Sequence, residues 1–161
     1  AYFDDRLSKE ISGALRHGSN VSLVIADLDH FKRLNDTYGH PFGDEVLERA
    51  AMVLSGGRGQ DVACRYGGEE FTIILPGTTV EEAVEVADRC RTALSRVEWS
   101  DRPEVSISGS FGVADLTCVA GSPTPEGLVK AADTALYRAK SEGRNRVVRA
   151  DPADWPRSIA G

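Results

Sequence analysis

The chain has 161 residues, of which 19 are Lys or Arg and 25 are Asp or Glu, giving a formal net charge of −6. This length suits one domain with a core of useful size, and the acidic balance without a basic tract argues against a nucleic-acid partner. No apolar run reaches membrane-spanning length and no signal peptide is recognisable, so we expect a cytoplasmic domain that makes no membrane contact itself, within a full-length protein whose other parts could carry an anchor.

The first half of the chain predicts a helix, a buried strand and a second helix. Apolar residues recur at helical spacing from Phe3 to Leu15. Val21–Ala26 is a short apolar run typical of a strand buried on both faces, and it ends at Asp27, where α/β folds tend to bind ligands. The alternative is that Asp27 caps the next helical turn. A polar corner is expected at 35–39, followed by a helix from about Pro41 to Leu54.

Two β-type runs, Val62–Cys64 and Phe71–Leu75, flank Gly67 and Gly68 and predict a hairpin. We expect both glycines to take a positive φ in its tight turn, because they have no Cβ. Glu69 and Glu70 would then lie at the tip, where their like charges repel and a cation would remove the conflict. The alternative is a solvated tip with two incidental acids.

The remaining pattern predicts a helix from Val80 to Val97, a strand from Val105 to Leu116, a helix starting at Pro125 and an edge strand at 147–148. We place the domain at 1–150 and a loose, Pro-rich tail at 151–161. Three separated cysteines suit small buried residues of a reduced, cytosolic protein; they are Cys64, Cys90 and Cys118.

Lys140 and Arg144 are four residues apart at the end of the last helix, so we expect them to project from one side of it. Cations also favour a helix C-terminus for structural reasons alone. Two carboxylate positions that could hold a divalent metal, with cations beside them, are typical of phosphoryl or nucleotidyl transfer. Nothing indicates acyl chemistry, because the chain has no Ser or Cys elbow and its histidines lack metal spacing.

Four motifs occur in order along the chain: DLDHFKRLNDTYGHPFGDEV from Asp27, RGQD from Arg58, RYGGEEF from Arg65 and ALYRAKSEGRN from Ala135. In these the sequence resembles the GGDEF family, the diguanylate cyclases, over nearly the whole stretch from Phe3 to Val148. Glu69 stands at the third position of the signature, giving the GGEEF variant that active family members also use.

The resemblance implies an α/β (α+β) domain whose central, mostly antiparallel sheet is flanked by helices, like the polymerase palm and the nucleotidyl cyclases. It also implies condensation of two GTP molecules into cyclic di-GMP and two pyrophosphates, with Mg²⁺ or Mn²⁺ as cofactor. Each site would hold one GTP, so catalysis would need a homodimer. An upstream sensor or receiver domain in the full-length protein is a further implied partner.

The resemblance also implies a role for each site residue. Asp27 and Glu69 would hold the metal by their side chains and Leu28 by its carbonyl, with Glu69 as the base. Glu70 would join the metal shell or orient its neighbour. The substrate phosphates would be neutralised by Lys32, Lys140 and Arg144, and the backbone at His30 and Phe31 would cradle them. Asn35 and Asp44 would read guanine. His40 would also contact the substrate.

Arg58 and Asp61 match the family's inhibitory Arg-x-x-Asp site, which binds the product cyclic di-GMP; an ordinary loop ion pair is the alternative. Three other functions are alternatives to the cyclase. A catalytically silent member would bind GTP or cyclic di-GMP as a sensor, a promiscuous cyclase would accept ATP, and a plain interaction domain would not need acids at both strand ends. The retained carboxylates and base readers argue against all three.

Overall fold

The computed structural model describes residues 2–152, which form a five-stranded sheet surrounded by helices. The helices are α1 (Tyr2–His17), α2 (Phe31–Tyr38), α3 (His40–Leu54), α4 (Val80–Ser95) and α5 (Pro125–Ser141). The strands are β1 (Val21–Leu28), β2 (Val62–Gly67), β3 (Glu70–Pro76), β4 (Gly109–Asp115) and β5 (Arg146–Arg149). A short 3₁₀ helix, Leu116–Cys118, follows β4.

The strand order is β2-β3-β1-β4-β5, and every neighbouring pair is antiparallel except β4 with β5. All eight residues of the central strand β1 are buried, as its unbroken apolar run predicts. Alternate β1 side chains enter different cores: Val24 packs with α3 and α4, whereas Leu23 packs with α1 and α5. The predicted mixed, mostly antiparallel sheet flanked by helices is therefore confirmed.

Helix α5 packs unusually close to β4. A Cβ atom on Gly112 would overlap the backbone of Ala132 and Leu136, so only glycine allows this approach. The start of α5 is fixed by Thr124, whose hydroxyl accepts a hydrogen bond from the Gly127 amide at 3.0 Å. Together these contacts set the position at which the C-terminal end of α5 meets the sheet.

Several local predictions are wrong. The expected polar corner at 35–39 is largely helix α2, which extends to Tyr38. The expected strand from Val105 begins only at Gly109, because Gly109 pairs with Leu28, the last residue of its neighbour β1. The expected helix through Val97 ends at Ser95. The start of β4 is thus set by its partner strand rather than by the local pattern.

The hairpin between β2 and β3 forms, but its turn differs from the predicted one. Gly67 pairs with Glu70, so the turn residues are Gly68 and Glu69, and Tyr66 interrupts the strand register. Neither glycine has a positive φ, which contradicts the expected primed turn. The register shift at Tyr66 has the character of a β-bulge, which increases the local twist of a strand. Of the predicted loose tail, all but Asp151 and Pro152 lies outside the described residues.

Candidate active site

Asp27 is the buried acid at the end of β1, with 8% of its surface exposed. The ammonium group of Lys140 donates to its Oδ2 atom, while its Oδ1 atom is buried and has no hydrogen-bond partner. Burial raises the pKa of the Asp27 carboxyl above its ordinary value, and the hydrogen bond and charge of Lys140 oppose that rise. A buried carboxylate oxygen without a donor has the chemistry of a cation ligand.

Glu69 and Glu70 lie at the same edge of the sheet as Asp27. Glu70 is the direct cross-strand neighbour of Asp27, and the Leu28 amide donates to the Glu69 carbonyl at 3.3 Å. Desolvation raises the pKa of the Glu70 carboxyl, and the negative charge of Asp27 adds to the rise. The structure therefore places the three acids, two from the hairpin and one from β1, at one edge of the sheet.

Within residues 2–152, no group of three or more His, Cys, Asp or Glu side chains is arranged to hold a metal. The expected set contains only two carboxylates, from Asp27 and Glu69, and the Leu28 carbonyl. Such a set suits Mg²⁺, which is usually bound by one or two carboxylates and takes its other ligands from water and substrate phosphates. The unpartnered Oδ1 atom of Asp27 fits that ion.

The loop after β1 leads directly into α2. His30 takes the left-handed conformation (φ 55°), makes no side-chain cap, and is followed by Phe31 as the first residue of α2. The first amides of a helix have no partner within the helix, and they favour anions. The backbone at His30 and Phe31 thus presents donors close to the carboxylate edge, where a phosphate cradle is expected. Lys32, one residue further, is exposed on α2.

Asn35 on α2 and Gly43 on α3 pack against each other. The Oδ1 atom of Asn35 is buried without a hydrogen-bond partner, and a Cβ on Gly43 would overlap it and would lie 3.3 Å from the Phe31 ring. Gly43 therefore makes room for a polar side chain that has an unused acceptor. The neighbouring Asp44 is exposed, as is His40 at the start of α3.

Asp44 lies beyond the first turn of α3, because this helix begins at His40. An acidic residue in the first turn stabilises the helix dipole, but α3 has no acidic residue in that turn, so this structural explanation does not apply to Asp44. Asn35 and Asp44 thus stand on two adjacent helices, where the Oδ1 atom of Asn35 is buried without a partner and Asp44 is exposed.

Lys140 and Arg144 do not project from one helix face as predicted. Helix α5 ends at Ser141, and Arg144 lies in the following turn with a left-handed φ of 65°. Its amide donates to the Ala139 carbonyl at 2.9 Å, and its guanidinium donates to the Lys140 carbonyl at 3.3 Å. The chain turns back at this point, because Arg146 begins β5 beside β4.

Arg58 and Asp61 form a closely bonded pair at the other end of β2. The guanidinium of Arg58 donates to the Asp61 carboxylate at 3.1 Å, to the Pro76 carbonyl at 3.3 Å and to the Thr78 hydroxyl. The pair lines a cleft of about 510 Å³ that Arg89 of α4 also lines. Sequence reasoning missed Arg89, because only the packing of α4 brings it to this loop.

A palm-like sheet with carboxylates at one edge, and cations and helix amides beside them, is the arrangement of domains that transfer nucleotidyl groups. Comparison with known proteins identifies the class more closely. The family profile described as "Diguanylate cyclase, GGDEF domain" matches residues 1–146. The chain belongs to this family.

The chain is 40% identical over 152 residues to the response regulator PleD of Caulobacter vibrioides, covering 91% of this chain and 33% of PleD. It therefore spans about a third of that relative. The active GGEEF domain of a diguanylate cyclase from Vibrio cholerae superposes with a TM-score of 0.86 at 31% identity, covering 92% and 94% of the two chains. The GGDEF domain of DgcB from Caulobacter crescentus, solved with c-di-GMP, gives 0.85 at 32% identity, covering 92% and 86%.

Between residues 2 and 152, none of the helices combines the length and the apolar character needed to cross a bilayer.

Proposed function

We propose that this domain condenses two GTP molecules into cyclic di-GMP and two pyrophosphates. In each half-reaction the 3′-hydroxyl of one GTP attacks the α-phosphate of the other, and pyrophosphate leaves with the bonding electrons. The observation that carries the proposal is the buried, unpartnered Oδ1 atom of Asp27 at the edge where Glu69 and Glu70 also lie. Family membership and the diguanylate cyclase names of its relatives support it.

Asp27 and Glu69, with the Leu28 carbonyl, would hold Mg²⁺ or Mn²⁺. When bound, such an ion polarises a phosphoryl oxygen and favours loss of a proton from a nearby hydroxyl. Glu69 accepts the 3′-hydroxyl proton as general base. Glu70, whose pKa is raised by desolvation beside Asp27, orients Glu69 or joins the same shell.

The remaining site residues bind the nucleotide. Lys32, Lys140 and Arg144 neutralise the phosphates, and the backbone at His30 and Phe31 cradles them. Asn35 and Asp44 read guanine, with the Asp44 carboxylate accepting from its N1 and N2 donors. His40, at the N-terminal end of α3, contacts the same GTP.

One site holds one GTP, so two domains must face each other for both bonds to form. The homodimer is therefore the active unit, and a lone domain is nearly inactive. Because the chain spans about a third of PleD, we place an upstream sensor or receiver domain in the full-length protein as the element that brings two domains together.

Incubation of the purified domain with GTP and Mg²⁺, with chromatographic separation of the nucleotides, tests the proposal. We expect cyclic di-GMP and pyrophosphate in a 1:2 ratio. GTP that is bound but never consumed at any protein concentration would instead support a catalytically silent sensor domain. Equal consumption of ATP would support the promiscuous cyclase.

We also propose that Arg58 and Asp61 bind cyclic di-GMP as an inhibitor. The six residues of β2 separate this loop from the hairpin turn, a span of roughly 20 Å at about 3.3 Å per residue. Product bound there cannot reach the metal ligands of its own domain, so it inhibits by holding two domains apart or misaligned. Arg89 adds a second guanidinium to the same cleft, suited to phosphate and guanine edges.

Arg58→Ala should relieve product inhibition and leave the initial rate unaltered. The substitution removes the planar guanidinium group proposed to bind the product, and it leaves the carboxylate edge of the sheet unchanged. Progress curves at saturating GTP should therefore level off early for the wild type and stay linear for longer in Arg58→Ala.

The matched control is Arg149→Ala, which breaks another exposed ion pair, Arg149 with Glu81 at 3.2 Å, elsewhere on the surface. It should level off like the wild type. If Arg58→Ala levelled off in the same way, this loop would not be the inhibitory site.

A further inference from the structure

Asp29 is an acid near the site to which the proposed function gives no role. Its carboxylate accepts three hydrogen bonds, from the Ser108 hydroxyl at 2.6 Å, the Ser110 hydroxyl at 2.6 Å and the Asn145 amide at 3.0 Å. Its own amide donates to the Ser108 carbonyl at 2.9 Å. Both of its carboxylate oxygens are engaged, whereas the Oδ1 atom of Asp27 has no partner. Asp29 is therefore bonded as a structural anchor rather than as a cation ligand.

The three donors come from two segments that the sequence separates widely from Asp29. Ser108 directly precedes β4 and Ser110 is its second residue, 79 and 81 residues away. Asn145 lies in the turn between α5 and β5, 116 residues away. Asp29 itself follows β1 directly. One carboxylate thus ties together the ends of β1 and β4 and the turn that carries Arg144.

That turn has two consecutive residues in the left-handed region, Arg144 (φ 65°) and Asn145 (φ 46°). This conformation is unfavourable for Arg144, whereas Asn tolerates it better than most residues other than glycine. The bond from the Asn145 amide to Asp29 holds the turn from one side. On the other side, the Asn145 side chain accepts from Arg91 of α4 at 3.1 Å.

We propose that Asp29 is a positioning residue that fixes the Arg144–Asn145 turn against the end of β1, and so sets where the Arg144 guanidinium meets the GTP phosphates. The carboxylate acts through the turn and touches no reacting atom. The geometric part of this inference stands on the contacts of Asp29 alone, whereas the part that concerns GTP rests on the proposed function.

Two variants separate this role from simple destabilisation. Asp29→Asn keeps the size of the side chain but replaces one acceptor oxygen by a donor. Ser110→Ala removes one hydroxyl donor, leaves the Asp29 charge and is the milder change. The matched control is Asp115→Asn at the far end of the sheet, where the buried Asp115 accepts from the amides of Val80 at 3.0 Å and Thr117 at 2.9 Å.

The first measurement is amide hydrogen exchange, which needs no activity. We expect exchange at residues 143–146 to quicken in Asp29→Asn relative to the wild type, and to stay unchanged in Asp115→Asn. Equal exchange in this turn for Asp29→Asn and the wild type would overturn the geometric part of the inference, whether or not the domain is a cyclase.

The second measurement is steady-state kinetics with GTP. We expect Asp29→Asn to raise KM by roughly tenfold, the effect of losing one charge-assisted hydrogen bond, with a much smaller change in kcat. Ser110→Ala should raise KM less, and Asp115→Asn should not raise it when rates are compared per folded molecule. A fall in kcat at unchanged KM would contradict the positioning role.

A double-mutant cycle with Arg144→Ala tests whether Asp29 acts through Arg144. If it does, Asp29→Asn should change KM little in the Arg144→Ala background. Effects that multiply independently would overturn this step. A wild-type domain without cyclase activity would refute the proposed function instead, and the exchange result would still stand.

Discussion

Glu69→Gln should lower the rate of cyclic di-GMP formation by at least about 1,000-fold while the domain stays folded. The amide cannot accept the 3′-hydroxyl proton, and it removes one of the two negative charges proposed to hold the metal. Glu69 is half-exposed in a turn, and its side chain is part of neither hydrophobic core. The substitution should therefore change the stability of the fold little. Turnover by the purified variant at saturating GTP and Mg²⁺ is the measurement.

The control for this variant is Glu85→Gln, which removes the same charge from the exposed face of α4. It should retain the wild-type rate. Thermal unfolding gives a second readout, because Mg²⁺ should raise the Tm of the wild type by binding only the folded state, and raise that of Glu69→Gln less. A wild-type rate in Glu69→Gln would show that this carboxylate is neither base nor metal ligand.

Asp44→Ser should reduce the preference for GTP over ATP by roughly 100-fold. A site built to accept hydrogen bonds from a base rejects an analogue without those donors, because its own acceptor is left desolvated and unpaired. Guanine offers the N1 and N2 donors that adenine lacks. Competition between GTP and ATP, with both products quantified, measures the change directly.

The neighbouring Glu45 supplies the control. It is exposed on the same helix but lines a different cleft, beside Trp99 and Arg102. Glu45→Gln should therefore keep the GTP preference of the wild type. If Asp44→Ser kept it too, the base would be read elsewhere, and Asn35, with its buried unpartnered oxygen, would be the first residue to examine.

Much of the fold could be predicted from local patterns. The apolar run that forms β1, the Thr124 and Pro125 start of α5 and the amphipathic stripe of α4 each specify their element through burial or capping. The acids expected at the end of one strand and at a hairpin turn do lie at one edge of the sheet, because β1 and β3 pair there. These signals are local in sequence, which is why they could be interpreted without a structure.

The predictions that were wrong concern features that local patterns do not determine. Helix α2 has no fully buried residue, and its Asn-Asp-Thr stretch favours turns. Its short apolar stripe packs only partly buried against the core; it consists of Phe31, Leu34 and Tyr38. The start of β4 depends on where β1 ends. The left-handed turn at Arg144 is held by Asp29, which lies more than a hundred residues earlier. Such features depend on contacts between distant segments, and periodicity carries no information about them.

The role of the buried Gly43 could be predicted from the sequence only in part. A glycine inside an apolar helical stretch indicates a close approach by another group. The sequence could not identify that group, and the structure assigns it to the Asn35 side chain on α2. The position of the Asn35 side chain on α2 therefore depends on a residue of α3 that has no side chain.

Two domains, each holding one GTP, are proposed to form cyclic di-GMP between them. The most direct test is the initial rate per domain, measured at saturating GTP and Mg²⁺ over a wide range of protein concentration. We expect the rate per domain to rise in proportion to concentration while the domains are mostly monomeric, and then to level off as dimers form. A rate per domain that stays constant down to concentrations at which the protein is monomeric would contradict the proposal, because a single domain would then complete the reaction alone.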